Sequence, residues 1–507
     1  MAIKIIMLVV FFGVMIGVGL YCRKNATDVN GFVLGGRSVG PWLTAFAYGT
    51  SYFSAVIFIG YAGQFGWRFG IASTWIGLGN AFIGSLLPWL ILGRRTRTMT
   101  HYLDSKTMPE FFGQRFDSKF LKIIASIIVF VFLIPYTASL YNGLSRVFGM
   151  AFHIDYTICI VVMAVLTGIY VIAGGYMATA MNDFIQGIVM LFGIVAVILA
   201  VLASHGGLVA ATGKLAEIVD TEASNVPGVF NSFFGPDPFF LLCVVILTSF
   251  GTWGLPQMVQ KFYAIKDTKA IEKGTIISTI FAIIVAGGCY FLGGFGRLTD
   301  VNVKEVGYDA VVPAMLEKLP EVLIALVLIL VLSASMSTLS SLVLTSSSTL
   351  TLDLIKGTVA KKMKENTQVL LMRVFIVIFI AISAVIAVIQ YKSKVTFIAQ
   401  LMGISWGALA GAFLAPYMLS LFFKGITKIA VFVNFMFSCI VMTVEMLKPE
   451  VFPKVLANPI TCGAFCMIAG LVIVPVVSLV TPKPDRARVD EIFTCFDDMK
   501  NEKPKEI

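Results

Sequence analysis

Apolar runs of about 20 residues alternate with short polar connectors along almost the whole chain, and a helix of about 20 apolar residues crosses a bilayer. Dividing the chain at charged, Gly and Pro residues predicts about 13 spans, the first of them an uncleaved helix. The spans begin near residues 3, 40, 72, 120, 156, 183, 239, 274, 320, 367, 395, 426 and 456. The pattern therefore predicts an all-α polytopic membrane protein.

Composition supports a membrane protein and excludes other classes. Only 13% of the 507 residues are charged and 58% are hydrophobic, whereas a soluble domain carries about 25% charged residues. The net charge of +10 does not indicate nucleic acid, because the basic residues cluster at the ends of apolar runs. The eight cysteines show no metal-ligand spacing, so we interpret them as packing residues. We expect contact with the lipid bilayer, and neither nucleic acid nor an obligatory protein partner.

Basic residues also predict the orientation of the chain. With the N-terminus outside and the C-terminus in the cytoplasm, most of the 38 Lys and Arg residues lie on the cytoplasmic side. One of these cytoplasmic loops carries Lys261, Lys266, Lys269 and Lys273. This distribution predicts a multi-pass protein of the plasma or inner membrane.

The second and seventh spans are each interrupted by Gly and hydroxyl residues, at 46–54 and 248–257. Close helix packing explains one such span. A pair five spans apart, however, is typical of an inverted-repeat transporter with its site between the breaks. Pro256 frees the carbonyl of Thr252, and an unwound segment persists in lipid only where it lines a cavity or binds an ion.

This pattern divides the chain into six segments. They are a first helix with its loop (1–38), a first repeat (39–204), an outer loop (205–238), a second repeat (239–424), two further helices (425–480) and a cytoplasmic tail (481–507).

The ninth span contains an unusual run of hydroxyl residues between 332 and 349. Ala334, Ser337, Thr338 and Ser341 follow at i, i+3, i+4 and i+7, so they share one stripe of the helix. Several neutral oxygens suit a hard monovalent cation, and a broken helix opposite the stripe would add carbonyl oxygens. The pattern therefore favours a sodium site. Alternatively, each hydroxyl donates to a carbonyl one turn earlier.

Asp183 opens the predicted sixth span and is one of few acidic residues near the membrane interior. Two interpretations stay open: a role in ion release or at a second ion site with Ser341, or an N-cap of the helix. The predicted site contains no fixed basic residue. Half-helix N-termini would instead attract a carboxylate on the solute.

Several motifs are similar to landmarks of the sodium/solute symporter family, which includes the bacterial proline and pantothenate symporters. The likeness covers about residues 1–480, and its motifs are 32–40, 170–178, Asn182-Asp183 with Gln186-Gly187, 253–256 and 336–339. The resemblance implies a LeuT-type core of two inverted five-helix repeats, with broken helices 2 and 7.

The resemblance also implies the ligands of the site. Sodium would bind the carbonyls of Thr50, Phe53 and Ala334 and the hydroxyls of Ser337 and Thr338. The solute would contact Tyr52, Ser54, Tyr136, Thr252, Trp253 and Gln257. One departure is Tyr52, which stands where the proline symporters carry an acid, so the solute stays open between proline-like and pantothenate-like carboxylates.

These features predict a secondary active transporter that couples sodium to a small organic solute by alternating access. A proton-coupled symporter of the same fold is the first alternative, and a cation channel through the ninth span is the second. An enzyme is disfavoured because His101, His153 and His205 lie in separate loops. ATP is not expected as an energy source, because no phosphate-binding loop occurs.

Overall fold

The computed structural model describes residues 2–152, 155–393 and 398–497, and this part of the chain is folded almost entirely into helices. His153 and the basic tail residues Lys500, Lys503 and Lys505 lie outside the described residues. The main helices are α1 (Ala2–Cys22), α2 (Pro41–Tyr52), α3 (Ala62–Phe69), α4 (Thr74–Ala81), α5 (Arg94–Tyr102), α6 (Lys119–Phe152), α7 (Tyr156–Ser204), α8 (Pro238–Gly254), α9 (Pro256–Ala264), α10 (Thr268–Ala282), α11 (Glu321–Ser348), α12 (Glu365–Ser393), α13 (Ile398–Phe422), α14 (Lys428–Leu447) and α15 (Pro459–Val480).

Ten helical segments of the described chain are long and apolar enough to cross a membrane, or 11 if the bent pair α8–α9 is one span. The predicted count of 13 is not confirmed by this criterion, because α2 (12 residues) and the apolar helix Tyr156–Ile169 are too short to be counted and α8 is counted only together with α9. Val56–Tyr102 is 47 residues long and α7 is 49, about 70 Å at 1.5 Å per residue. Gly70 (φ 61°) and Gly175 (φ 56°) interrupt the helical geometry of these two runs.

Both predicted helix interruptions are present. α2 ends at Tyr52, Phe53 has non-helical angles (φ −99°, ψ 87°), and helical structure resumes with the π-helix Val56–Tyr61. In the seventh span, Leu255 is extended (ψ 121°) between α8 and α9, which meet at a 44° bend. Pro256 is the first residue of α9, where its missing N–H leaves no helical hydrogen bond unmade.

The hydroxyl-rich helix α11 lies at the centre of the bundle. It packs against α7, α6 and α2, and every residue from 327 to 349 is buried. α13 is buried to a similar degree, whereas α1 and α12 expose most of their apolar side chains, as expected for helices that face lipid. A helix that is buried on all sides can carry polar groups only if its own backbone or neighbouring helices satisfy them.

Glycines allow the helices to approach closely around this centre. A Cβ atom on Gly66 of α3 would lie 1.9 Å from the carbonyl oxygen of Gly293, and one on Gly251 of α8 would lie 2.5 Å from the ring of Trp406. The first contact is with backbone, so no side-chain rotation can relieve it.

The Gly66→Ala substitution should therefore destabilise the protein by about 1–3 kcal/mol or more through overpacking. Thermal unfolding of the purified protein in detergent measures the effect as a lower Tm. Gly17→Ala on α1 is the matched control, because nothing lies within 4 Å of a Cβ there. Equal Tm values for the two variants would contradict the close packing of α3.

Candidate ion and solute site

The broken end of α2 lies against the hydroxyl stripe of α11. The hydroxyls of Ser337 and Thr338 donate to the carbonyl of Thr50 at 3.1 and 3.2 Å, and Thr338 Oγ1 lies 3.4 Å from the carbonyl of Ser51. The last backbone hydrogen bond of α2 runs from Phe53 N–H to the carbonyl of Gly49. The hydroxyls of α11 therefore serve carbonyls that lie beyond the regular helical ladder.

Four of the five residues expected to bind sodium come together here. The carbonyl oxygen of Ala334 lies 3.3 Å from Ser337 Oγ and 3.1 Å from Thr338 Oγ1, so these oxygens and that of Thr50 form one cluster. In an octahedral site for a cation of the size of calcium, each oxygen is about 2.3–2.6 Å from the ion, and neighbouring oxygens are about 3.3–3.7 Å apart. The oxygens of this cluster have a similar spacing. Phe53 follows directly after α2, and its carbonyl joins no hydrogen bond with this cluster in the described part of the chain.

The alternative of local back-bonding is present in the same geometry. Ser337 Oγ lies 2.8 Å from the carbonyl of Ser333, and Thr338 Oγ1 lies 3.1 Å from that of Ala334. A hydroxyl has one proton and two lone pairs. When a hydroxyl turns its one proton to the carbonyl one turn earlier, its lone pairs and the Thr50 carbonyl are both available to a cation, so the two interpretations do not exclude each other.

Asp183 lies inside helix α7, eight residues after the interruption at Gly175, and it is fully buried. An N-cap precedes the first turn of a helix. The N-cap interpretation of Asp183 is therefore wrong. The sequence predicted that the sixth span begins near residue 183, whereas the helix resumes directly after Gly175.

The charge pattern predicted that Lys261 lies in a loop, and this prediction is wrong. It lies on α9, is 2% exposed, and its ammonium is 3.8 Å from Asp183 Oδ2 and 2.9 Å from Ser341 Oγ. Ser341 Oγ in turn lies 2.8 Å from Ser51 Oγ. α9 thus carries Lys261 into the bundle beside Asp183 and Ser341, the two residues that the sequence assigned to ion release or a second ion site.

Three of the expected solute residues form hydrogen bonds within the protein. The Tyr52 hydroxyl lies 2.6 Å from the carbonyl of Thr248 and 2.8 Å from Asn80 Oδ1. Thr252 Oγ1 donates to the carbonyl of Gly84 and Trp253 Nε1 to that of Ile83. Tyr52 therefore holds α2 against α8 and α4, and Thr252 and Trp253 hold α8 against the π-helix Phe82–Leu86.

The other three, Ser54, Tyr136 and Gln257, are buried, and their side-chain polar atoms have no hydrogen-bond partner among the described residues. Trp406 Nε1 has none either, and the Trp406 ring meets that of Tyr136 edge-on at 5.9 Å. Buried polar groups normally find partners. This set can therefore hold a polar ligand.

Sequence reasoning missed Trp406, Lys261 and Asn80. For Trp406 a signal existed, because it is the one aromatic residue in the sequence Gly403-Ile404-Ser405-Trp406-Gly407 of an otherwise unassigned span. For Lys261 the signal was misleading, because a basic residue at the end of an apolar run is typical of a loop.

The bundle of apolar helices, with two spans interrupted in its interior, is that of a multi-pass membrane protein of the transporter class. The chain belongs to the sodium:solute symporter family, whose model matches residues 32–437. The family resemblance drawn from the motifs is thereby confirmed.

Relatives include the osmoregulated proline transporter OpuE of Bacillus subtilis, 29% identical and covering 96% of this chain and 97% of the relative. Sodium/proline symporter 2 of Staphylococcus saprophyticus is 27% identical, with 90% and 91% coverage. Among solved structures, a substrate-bound, outward-open Na⁺-coupled sialic acid symporter matches with a TM-score of 0.76 at 15% identity. That match covers 95% of this chain and 98% of the other, and it shows a shared fold.

The Tyr52→Phe substitution should lower the free energy of unfolding by about 1–3 kcal/mol, because it removes the hydroxyl that satisfies a buried carbonyl. The Tm in detergent measures the loss. Tyr102→Phe, at a ring that is 48% exposed, removes the same atom and should leave the Tm unchanged. An unchanged Tm for Tyr52→Phe would show that its hydroxyl contributes nothing to the packing of α2.

Proposed function

We propose that the protein is a symporter that uses one sodium site, formed by the end of α2 and the stripe of α11, to drive uptake of a small carboxylate-bearing solute. The observation that carries this proposal is the oxygen cluster around the Thr50 carbonyl, with Ser337 and Thr338 within 3.2 Å. Sodium at this cluster would order the broken end of α2 against α11 and complete the solute pocket. The bundle would then rock inward, so coupling is a difference in solute affinity between two states.

The proposed topology has 13 spans, with the N-terminus outside and the C-terminus in the cytoplasm. The interruptions at Gly70 and Gly175 support it, because each divides a run about twice as long as a bilayer needs. The first repeat (39–204) would contain the break after α2 and the second (239–424) the break between α8 and α9. Two related breaks that face one site are typical of transporters with inverted repeats.

The buried polar groups that have no hydrogen-bond partner among the described residues favour a solute that carries a carboxylate and no ammonium. Ser54, Tyr136, Gln257 and Trp406 offer hydroxyl, amide and indole groups, and none of the four is acidic. The Tyr52 hydroxyl is engaged by Thr248 and Asn80, so it does not replace the acid of the proline symporters. Since no acid is in the oxygen cluster either, the solute carboxylate would balance the charge of sodium.

Sodium coupling provides enough energy for accumulation without ATP. Because one sodium ion and one solute carboxylate would move inward together without net charge, the driving force is the sodium concentration gradient, and a tenfold gradient contributes about 1.4 kcal/mol, or tenfold accumulation.

A proton-coupled symporter of the same fold is the second candidate. Asp183 favours it, because this buried carboxyl accepts no hydrogen bond from the described residues and could hold a proton. Solute uptake into proteoliposomes with a sodium gradient at constant pH separates the candidates. Uptake driven only by a pH gradient would favour the proton. A sodium current without solute would instead indicate a channel.

Replacement of Ser337 and Thr338 by Ala together should raise the sodium concentration for half-maximal uptake at least tenfold. Each hydroxyl that contacts a charge contributes about 1.5–3 kcal/mol, and about 1.4 kcal/mol is tenfold in affinity. Sodium-dependent uptake into proteoliposomes measures the change.

The matched control is Ser347→Ala with Ser348→Ala on the same helix, since these hydroxyls donate only to carbonyls of α11. Its sodium dependence should equal that of the wild type. Equal sodium dependence for the Ser337/Thr338 variant would refute the ion site.

A thermal-shift screen of the purified protein identifies the solute class. Pantothenate and simple carboxylates should raise the Tm more with sodium than with an equal concentration of choline, because the two ligands bind cooperatively. Proline, with its secondary ammonium, should give the smaller shift. A larger shift with proline would contradict the proposal that the solute has no ammonium, which rests on the lack of an acidic side chain in the site.

A further inference from the structure

Four polar side chains form a continuous buried chain beside the oxygen cluster. It runs from Ser51 on α2 through Ser341 on α11 and Lys261 on α9 to Asp183 on α7, and every member is at most 3% exposed. The four residues come from four different spans. Neither the sodium cluster nor the solute pocket includes the ammonium of Lys261.

The surroundings of the ammonium are those of a bound cation. It has a hydroxyl oxygen at 2.9 Å, a carboxylate oxygen at 3.8 Å and the ring of Tyr176 at 5.3 Å. Asp183 is the one acidic side chain within ion-pair distance of Lys261 in the described part of the chain. A buried charge persists only when an opposite charge and polar groups compensate it.

The carboxylate of Asp183 can accept further contacts besides that of the Lys261 ammonium. Its two oxygens accept no hydrogen bond from the described residues, and 3.8 Å exceeds the 2.7–2.9 Å or so of a charge-assisted hydrogen bond. Without the lysine, the Asp183 carboxylate and the Ser341 hydroxyl would remain as oxygen ligands around the position of the ammonium. Hard cations prefer such ligands.

This position adjoins the sodium cluster. Ser341 follows Ser337 by one helical turn, about 6 Å along α11, and Ser51 directly follows Thr50. At this second position the carboxylate of Asp183 balances the charge of a cation. The ammonium of Lys261 is part of the chain, so it enters this position with folding and is already paired there.

We propose that the Lys261 ammonium is a tethered cation that occupies a second cation position between Asp183 and Ser341, so that the protein binds a single sodium ion. This inference rests on the proposed sodium site. A tethered charge is not released on the far side of the membrane. One sodium per cycle therefore supplies the driving force, and removal of the lysine opens a second sodium site.

The test is the number of sodium ions bound per chain at saturation, measured with radioactive sodium by scintillation proximity on the purified full chain. We expect one ion for the wild type and two for Lys261→Ala. Adding Asp183→Asn to Lys261→Ala should return the number to one. Lys273→Ala, at an exposed lysine of α10, should bind one ion as the wild type does.

Two ions on the wild type, or one ion on Lys261→Ala, would overturn the tethered cation. Should Lys261→Ala not fold, Lys261→Ser is the second variant, and the wild-type number remains decisive without either. Failure of the sodium cluster itself is distinguishable, because the wild type would then bind no ion. In that case a gain from none to one in Lys261→Ala would still support the role of the lysine.

Discussion

The contact on which the structure depends is that between the end of α2 and the hydroxyls of Ser337 and Thr338. A helix that stops inside a membrane leaves carbonyl oxygens without backbone donors, and lipid offers none. The Thr50 carbonyl is satisfied by α11 at 3.1–3.2 Å. This requirement explains why the most hydroxyl-rich helix lies buried at the centre of the bundle, with other spans packed around it.

The same requirement links stability to transport. The hydroxyls that contact the broken end of α2 also carry the lone pairs that a sodium ion needs, so the same atoms serve helix packing and ion binding. The tyrosine at the break contributes differently. Tyr52 is fixed by Thr248 and Asn80, so it holds α2 in register while Ser54 and Tyr136 remain available to a ligand.

Buried charge is the other constraint. Lys261 and Asp183 are paired inside the bundle, although the charge pattern assigned Lys261 to a loop, and Lys122 of α6 is paired with the buried Asp353 at 3.1 Å. A rule that counts basic residues at helix ends cannot tell a lysine in a loop from one whose helix turns inward. The distinction depends on the partner, which is far away in sequence.

The sequence by itself determined the membrane class, the two interruptions and the hydroxyl stripe, because these follow from local composition and helical periodicity. It also supplied the family through its motifs. Tertiary structure alone decided that the stripe faces Thr50, that Asp183 lies within a helix rather than at its cap, and that Lys261 reaches Ser341. Those facts depend on how helices distant in sequence approach one another, and residues such as Gly66 and Gly251 permit that approach only in the folded bundle.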